Sequence, residues 1–358
     1  LVLGCTHYPF EADRLQAFAS LGFGTLFSDH MAVVRWREGE GWGAGEIVAR
    51  APFQMDPASS VLHYAQEIFE GLKAYRAADG RATLFRPERN ARRFNESARR
   101  MALPELPEEI FLGAIEALLR VDAKWIPTGE GESLYLRPFM FASESFLGVR
   151  ASKECTFCVI ASPVGAYFKG GAKPVTIWAS ENYTRAAPGG TGAAKCGGNY
   201  AASLLAQAEA YAQGCDQVVF FDAAERRWVE ELGGMNVFFV FDDGTLRTPA
   251  LNGSILPGIT RDSLIRLAGD LGMKVEEAPY SFQDWRADAA SGKLREAFAC
   301  GTAAVVAAIG KVKSKDGEFL IGGGAEGAAT KRLRDALTSI QRGASNDAHG
   351  WLRVVEGV

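Results

Sequence analysis

The sequence predicts an α+β protein of two domains, built on mixed, mostly antiparallel sheets with flanking helices. Its 358 residues exceed the roughly 250–300 at which a single hydrophobic core usually stops growing. Short strand-like segments lie between helical segments, without the regular strand–helix–strand alternation of a parallel sheet. We therefore predict a smaller N-terminal α/β domain over 1–168, a linker over 169–175 and a larger C-terminal domain over 176–358.

Local signals predict the elements of the first half. Two strand-like runs joined by Ala-Ala-Asp-Gly indicate a hairpin, and Pro87 suits the first position of a helix. Cys155 and Cys158 form a C-x-x-C in a buried strand, but no second pair completes a zinc site, so we expect packing cysteines in a reducing cytosol. The predicted elements are strands 71–76, 81–85, 133–142 and 154–162, and helices 87–101 and 107–121.

In the second half, two pairs of short runs are predicted to form antiparallel meanders rather than regular strand–helix–strand units. A strand at 175–179 leads into a Gly-rich loop over 188–199 and an Ala-rich helix over 200–213. Turn residues then separate short apolar runs. The predicted pairs are 216–222 with 227–231 and 237–241 with 245–248, followed by helices at 261–271 and 330–342.

Charge and hydropathy exclude several function classes. The net charge is −4, and a nucleic-acid or anionic-membrane partner would usually require a basic excess. No apolar run approaches the ~20 residues of a membrane span. We expect a cytoplasmic protein that acts on small molecules.

Lys195 is the strongest chemical signal, because glycines flank it on both sides before an apolar helix. Glycines would let another molecule approach the backbone, and burial would lower the pKa of the amine toward the range of a nucleophile. This setting suits a Schiff base with the carbonyl of pyridoxal 5'-phosphate (PLP). The alternative is a solvated surface lysine.

A PLP site also needs an acid for the pyridine nitrogen and donors for the phosphate. Glu230 and Glu231 precede a Gly-Gly turn and are predicted to point to opposite faces, one buried and one wet. The turn at 256–260 leads into a helix that we expect Thr260 to cap, with free N–H groups for a phosphate. A solvated acidic pair and an ordinary capped helix are the alternatives.

Three further positions suit anion binding. Arg93 lies in a helix with four other arginines, and one member of such a set could turn inward as a phosphate clamp. Arg137 interrupts an apolar strand, which implies either a structural ion pair or a substrate carboxylate. Thr302 follows a strand-like run at a possible anion turn.

The segment 322–327 matches the dinucleotide fingerprint G-x-G-x-x-G but lacks the strands of that fold, so we predict a surface turn; a dehydrogenase is the alternative.

Over nearly its whole length the chain resembles the branched-chain-amino-acid aminotransferases, PLP enzymes of fold type IV with the D-amino-acid aminotransferase-like fold. The resemblance implies two domains, a homodimer and no metal. The motifs that carry it are Phe69-Glu-Gly-Leu-Lys-Ala-Tyr75, Tyr135-Leu-Arg-Pro138, Val164-Gly-Ala-Tyr-Phe168, Lys195-Cys-Gly-Gly-Asn-Tyr200, Glu231-Leu-Gly-Gly-Met-Asn236, Leu256-Pro-Gly-Ile-Thr-Arg261 and Gly301-Thr-Ala303.

The resemblance also implies roles at the cofactor. Lys195 would bind the PLP aldehyde and carry the proton between the substrate Cα and C4′. Glu231 would pair with the pyridinium nitrogen, and Tyr200 would hydrogen-bond O3′. The remaining cofactor contacts would be Arg93, the N–H groups of Ile259 and Thr260, and Thr302 at the phosphate, with Leu256 packed on the ring.

For the substrate, the resemblance implies one pocket that accepts both an apolar side chain and the second carboxylate of glutamate. Arg137, helped by Tyr64 and Tyr135, would bind that carboxylate, and the turn at Thr302 and Ala303 would bind the α-carboxylate. The apolar lining would consist of Phe69, Tyr167 and Tyr200, with Leu147 and Val149 from the partner subunit.

The predicted activity is ping-pong transamination between L-leucine, L-isoleucine or L-valine and 2-oxoglutarate. The alternatives are a D-amino-acid transaminase, an aminodeoxychorismate lyase and a PLP-binding regulator without turnover.

Two departures from some relatives concern local detail. Ala-Val-Val-Ala at 304–307 replaces a redox-sensitive C-x-x-C, which predicts that no thiol switch operates there, and Gly234 replaces a threonine.

Overall fold

The computed structural model describes residues 21–165 and 173–358. These residues divide into two compact units, the first within Leu1–Lys169 and Ile340–Val358 and the second within Gly170–Ser339. Each unit contains one large sheet. None of the helices in the described ranges is long and apolar enough to cross a membrane.

The helices are α1 (Ser60–Tyr64), α2 (Pro87–Arg100), α3 (Glu108–Val121), α4 (Gly197–Ala212), α5 (Ile259–Asp270), α6 (Phe282–Ser291) and α7 (Ala328–Gln341). The strands of the first unit are β1 (His30–Arg37), β2 (Gly41–Trp42), β3 (Glu46–Ala49), β4 (Glu67–Phe69), β5 (Leu72–Arg76), β6 (Ala82–Phe85), β7 (Ser133–Ala142), β8 (Glu154–Val164) and, at the C-terminus, β18 (Leu352–Val355). The strands of the second unit are β9 (Val175–Ser180), β10 (Gln217–Phe221), β11 (Val229–Leu232), β12 (Asn236–Phe241), β13 (Leu246–Thr248), β14 (Val275–Glu277), β15 (Leu294–Gly301), β16 (Val305–Ser314) and β17 (Gly317–Leu320).

The sheet of the first unit is antiparallel throughout its described pairings, in the order β18-β6-β5-β7-β8-β1-β2, with β3 on β1 and β4 on β7. Its core includes the rings of Phe94, Phe111 and Phe157, which contact one another across α2, α3 and β8. The predicted hairpin is β5 and β6, and the two predicted helices are α2 and α3. Local signals therefore placed these elements correctly.

The sheet of the second unit is mixed, in the order β11-β10-β9-β16-β15-β12-β13-β14, with β17 on β16. The predicted antiparallel pairs β10–β11 and β12–β13 are present. Strands β9 and β10 are also joined through α4 as a strand–helix–strand unit and pair in parallel, which makes the sheet mixed, as predicted. This arrangement puts the loop with Lys195 after the carboxyl end of a parallel strand, where ligands bind in many α/β sheets.

The C-terminal residues differ from the predicted division of the chain. Strand β18 pairs with β6 in the first sheet, Leu352 opposite Phe85, although 176–358 was predicted to form one domain. A run of four residues carries no signal for which sheet it will join, because that depends on a free edge elsewhere in the chain. The predicted linker 169–175 lies mostly outside the described residues and stays a prediction.

Candidate active site

Lys195 lies in the loop between β9 and α4, immediately before Cys196, the N-cap of that helix. Its Nζ donates a hydrogen bond to the Tyr200 hydroxyl at 2.8 Å and lies 5.3 Å from the centroid of that ring. Both side chains are half-buried. Because Tyr200 lies in the first turn of α4, the start of the helix sets the distance between the amine and the phenol.

Glu231 is a buried acid that interacts electrostatically with this lysine. The residue is 3% exposed, and burial raises the pKa of its carboxyl, while the charges of Arg185 and Lys195 and the N–H of Leu256 oppose that rise. Arg185 Nη2 forms a short ion pair with Glu231 Oε1, and the Leu256 N–H donates to the same oxygen at 3.1 Å. The structure thus brings Lys195, Tyr200, Glu231 and Leu256 together.

The prediction that one of the adjacent glutamates stays wet was wrong. Glu230 is also 3% exposed. It is buried because the Ser254 hydroxyl and the Asn252 amide, 2.9 Å away, both donate to its Oε1. Adjacent side chains of a strand point to opposite faces, but here the side chains on both faces enter a buried, polar environment.

The first turn of α5 offers backbone donors, although its cap differs from the prediction. The N-cap is Gly258, not Thr260, and no side chain caps it. A Cβ on Gly258 would lie 2.0 Å from Asn236 Oδ1, and Asn236 also donates to the Leu256 carbonyl at 3.1 Å. The N–H groups of Ile259 and Thr260 therefore lie at a helix start of the kind that binds phosphate.

Thr302 and Ala303 lie in the turn that joins β15 to β16. A Cβ on Gly301 would lie 3.6 Å from the Gly234 carbonyl, and a Cβ on Gly234 would lie 3.5 Å from the Tyr200 ring. The turn at Gly301 therefore packs near the turn at Gly234, and the turn at Gly234 packs near the Tyr200 ring. This packing brings the Thr302 turn to the same side of the second unit as Lys195.

Arg93 is the inward-facing arginine of α2, in the first unit. Its Nε and Nη2 donate to the two oxygens of Glu70 at 2.7 and 2.9 Å, with the side chains 7% and 0% exposed. Asn90 donates to the same carboxylate at 2.7 Å. Phosphate binding by Arg93 stays a prediction, because Arg93 belongs to the first unit and α5 to the second.

Arg137, also in the first unit, is surrounded by aromatic groups. Its guanidinium carbon lies 4.7 Å from the centroid of Phe69, and its Nη2 donates to the Tyr135 hydroxyl at 3.1 Å. Its buried Nε has no hydrogen-bond partner among the described residues. Gly71 is required here, because a Cβ would lie 2.2 Å from the Tyr135 hydroxyl. The structure brings Phe69, Tyr135 and Arg137 together and leaves a donor for a ligand.

Tyr64 is not placed at Arg137 by any described contact; its hydroxyl donates to the Leu147 carbonyl. Tyr64, Leu147 and Val149 are 40%, 59% and 87% exposed, so these side chains form an exposed segment of the first unit. Tyr167 lies outside the described residues. The roles of all four residues in substrate binding stay predictions.

The fold and these contacts agree with what comparison finds. The family model for amino-transferase class IV matches residues 67–312. The chain is 56% identical over 350 residues to a probable branched-chain-amino-acid aminotransferase of Streptomyces coelicolor, covering 98% of this chain and 96% of the relative. The chain belongs to the branched-chain-amino-acid aminotransferases of class IV. A Mycolicibacterium smegmatis branched-chain-amino-acid aminotransferase is 57% identical, covering 97% of this chain and 95% of that one. The crystal structure of the branched-chain aminotransferase of Escherichia coli superposes with a TM-score of 0.77 at 30% identity, covering 92% of this chain and all of that one.

Class IV aminotransferases depend on PLP, and the second unit of this aminotransferase fits that cofactor. It presents a lysine amine, a tyrosine hydroxyl and a buried carboxylate for the ring, together with an uncapped helix start for the phosphate. Gly192 keeps this region compact, because a Cβ there would lie 2.2 Å from the Ser254 carbonyl.

The dinucleotide alternative fails for a physical reason. Segment 322–327 does precede a helix, α7, but the carboxylate of Glu296 already accepts hydrogen bonds from the N–H groups of Ala329 and Thr330, at 3.0 and 2.7 Å. A Cβ on Gly327 would lie 1.9 Å from Glu296 Cδ. The glycine makes room for a protein carboxylate where a dinucleotide phosphate would otherwise bind.

Two residues of this aminotransferase were missed by the sequence analysis, Arg185 and Glu70. Both are charged residues whose partners lie far away in the sequence, Glu231 and Arg93. The available signal was a charge adjacent to apolar or small residues, Phe69-Glu70-Gly71 and Arg185-Ala-Ala.

Proposed function

We propose that this aminotransferase reversibly transfers the amino group of L-leucine, L-isoleucine or L-valine to 2-oxoglutarate, giving branched 2-oxo acids and L-glutamate. The observation that carries the substrate assignment is Arg137, with Phe69 on its face and a buried Nε that lacks a partner among the described residues. An apolar side chain would pack on the aromatic ring, and a second carboxylate would pair with the guanidinium. Two solved structures of another branched-chain amino acid aminotransferase support this assignment. One contains N-(5'-phosphopyridoxyl)-L-glutamate and the other 4-methylvaleric acid, at 30% and 29% identity with TM-scores of 0.73 and 0.74.

The residues of the second unit would divide the chemistry among themselves. When bound, PLP supplies an electron sink that makes the substrate Cα–H acidic. The Lys195 amine would hold the cofactor aldehyde and then carry the proton between the substrate Cα and C4′. Tyr200, hydrogen-bonded to Lys195 at 2.8 Å, would hold O3′, and Glu231 would accept the pyridinium N–H. Ile259, Thr260 and Thr302, with Arg93, would hold the phosphate.

The α-carboxylate would bind at the turn of Thr302 and Ala303, and the apolar side chain among Phe69, Tyr167 and Tyr200. Tyr64 and Tyr135 would assist Arg137, and Leu256 would pack on the cofactor ring. Each of these assignments rests on the family resemblance together with the contacts described above.

We also propose that the enzyme is a cytoplasmic homodimer. Leu204, Leu205 and Tyr211 on α4 are 67%, 57% and 61% exposed, and Leu147 and Val149 are exposed on the first unit. Apolar exposure on this scale is typical of association surfaces. The cysteines of the described residues are all buried and unbridged, which suits a reducing compartment. Light scattering should give a molar mass of twice 38.6 kDa.

The visible spectrum of the purified PLP-loaded protein tests the reaction. L-leucine should convert the band of the lysine-bound cofactor to that of pyridoxamine phosphate, and 2-oxoglutarate should restore it. Lys195→Ala should abolish both changes, whereas the surface control Lys153→Ala should not. Preference for D-alanine as donor would instead support a D-amino-acid transaminase, and a cofactor band without any oxo-acid product would support a binding protein.

Arg137→Met separates the two halves of the cycle. The apparent affinity for 2-oxoglutarate should fall by about 30-fold or more, the equivalent of ~2 kcal/mol for a lost charge pair, while the leucine half-reaction changes little. Arg92→Met, on the exposed face of α2, is the matched control. Equal effects on both halves would contradict the proposed role of Arg137.

A further inference from the structure

Arg185 is a buried cation that joins three segments of the second unit. It follows β9, and its side chain is 6% exposed. Its Nη2 contacts Glu231 Oε1 and the Ser254 carbonyl, and lies 3.4 Å from the Gly192 carbonyl. Gly192 precedes Lys195 in the same loop, and Ser254 precedes the turn into α5. A single guanidinium thus connects the loop that carries Lys195, the carboxylate of Glu231 and the segment that leads from Ser254 into α5.

The two oxygens of Glu231 have unequal surroundings. Oε1 receives both Arg185 and the Leu256 N–H, 3.1 Å away, whereas Oε2 receives only a long contact from the Asn236 amide at 3.5 Å among the described residues. Oε2 is therefore the oxygen with capacity for a strong hydrogen bond. If a ring nitrogen binds Glu231, the geometry favours Oε2 as its partner.

A buried carboxyl without a counter-charge favours its neutral form. The charged or titratable groups that act on Glu231 are Arg185 and Lys195, which favour the carboxylate, and Glu230 and Cys300, whose negative forms would disfavour it. Arg185 is the only one of these in direct contact with an oxygen of Glu231 in the described structure.

With PLP bound, the proton between Glu231 and the ring nitrogen would lie either on the nitrogen or on the carboxylate oxygen. A proton on the nitrogen would make the ring a cation that draws electrons strongly. A proton on Glu231 would leave the ring neutral, and it would draw electrons weakly. We propose that Arg185 is a positioning residue that holds Glu231 as a carboxylate with Oε2 toward the cofactor, and so keeps this proton on the ring nitrogen. The proposal rests on the cofactor role of Glu231 proposed above.

Nitrogen NMR of the enzyme loaded with PLP labelled at the ring nitrogen tests this directly, with no amino acid present. The wild type should show a protonated ring nitrogen, and Arg185→Gln a neutral one, while Arg185→Lys should retain the protonated form. Glu230→Gln is the matched control, because it removes a neighbouring buried carboxylate that does not contact Arg185 in any described pair; its nitrogen signal should remain protonated. A protonated nitrogen in folded Arg185→Gln would overturn the proposal. This readout is independent of leucine turnover. The NMR prediction can therefore fail while transamination succeeds, and it can hold while transamination fails.

A second measurement distinguishes positioning from simple stabilisation. Single-turnover rates with L-leucine are compared for wild type and Arg185→Gln, each loaded with PLP or with an analogue in which carbon replaces the ring nitrogen. The variant should be slower by about tenfold or more with PLP, the equivalent of one pKa unit, and equal to wild type with the analogue. The same loss with both cofactors would overturn the proposal. If Arg185→Gln does not fold, Arg185→Lys replaces it in the same comparison. Its single-turnover rate should fall less than tenfold below wild type with PLP and should equal wild type with the analogue. An equal fall in rate with both cofactors would again overturn the proposal.

Discussion

Removing the carboxylate of Glu70 is expected to destabilise the first unit strongly. Glu70→Ala would leave the Arg93 guanidinium buried, at 7% exposure, without the two oxygens that accept from its Nε and Nη2. Losing one member of a buried ion pair costs about 3–5 kcal/mol, because the remaining charge is desolvated and uncompensated. Asn90 also loses an acceptor, which adds about 1 kcal/mol. We therefore expect the free energy of unfolding to fall by about 4–6 kcal/mol.

Urea denaturation of the cofactor-free protein, followed by tryptophan fluorescence, measures this loss. Glu105→Ala is the control, because its pair with Arg99 is 52% and 55% exposed and should contribute less than about 1 kcal/mol. Similar losses for the two variants would refute the reasoning. If Arg93 also binds the cofactor phosphate, saturating PLP should reduce the loss in Glu70→Ala, since the phosphate supplies an alternative anion. A loss unchanged by PLP would contradict that role.

Buried groups and close contacts support three further predictions. Burial lowers the pKa of Lys73 from 10.5 to about 8, so the unfolded chain retains a proton that the folded chain loses between these values. Stability should therefore rise from about pH 8 to 10.5, by roughly 3 kcal/mol, and pH-dependent urea titrations of Lys73→Met should lack this contribution. Burial also raises the pKa of Cys155 and Cys158 to about 12; at pH 8 iodoacetamide should label them only in the unfolded chain, as read by mass spectrometry. Gly258→Ala would put a Cβ 2.0 Å from a side-chain oxygen and should weaken PLP binding about tenfold in a fluorescence titration, whereas Gly269→Ala, in open space on the same helix, should not.

Local sequence signals predicted those elements whose cause is local. Pro87 at the first helical position indicated α2, apolar residues at helical spacing indicated α3, and the Ala-Ala-Asp-Gly turn indicated the β5–β6 hairpin. The parallel pairing of β9 with β16 and the antiparallel pairing of β18 with β6 were not predicted. Each joins segments far apart in the chain, and strand-forming residues do not encode which edge will be free.

The same limit applies to the site. Lys195 was predicted from its glycine-rich setting and Tyr200 from the family resemblance, and the structure joins them by a hydrogen bond across the start of α4. Arg185 was not predicted, since it lies in a loop and its partner Glu231 lies in a strand far away in the sequence. The cap was assigned to Thr260 because hydroxyl residues usually cap helices, whereas the structure starts the helix after Gly258, where a Cβ would lie 2.0 Å from Asn236 Oδ1.

The pairing of β18 with β6 has a consequence for the order of folding. Residues 352–355 are synthesised after the whole second unit, yet they form an edge of the sheet whose other strands all precede that unit in the chain. During synthesis the edge of β6 would therefore remain unpaired while the whole second unit is made, and an exposed strand edge can pair with another chain. The second unit, by contrast, is continuous in sequence and needs no later residue to close its sheet. We expect nascent chains that still lack β18 to be the species most prone to association and most dependent on chaperones.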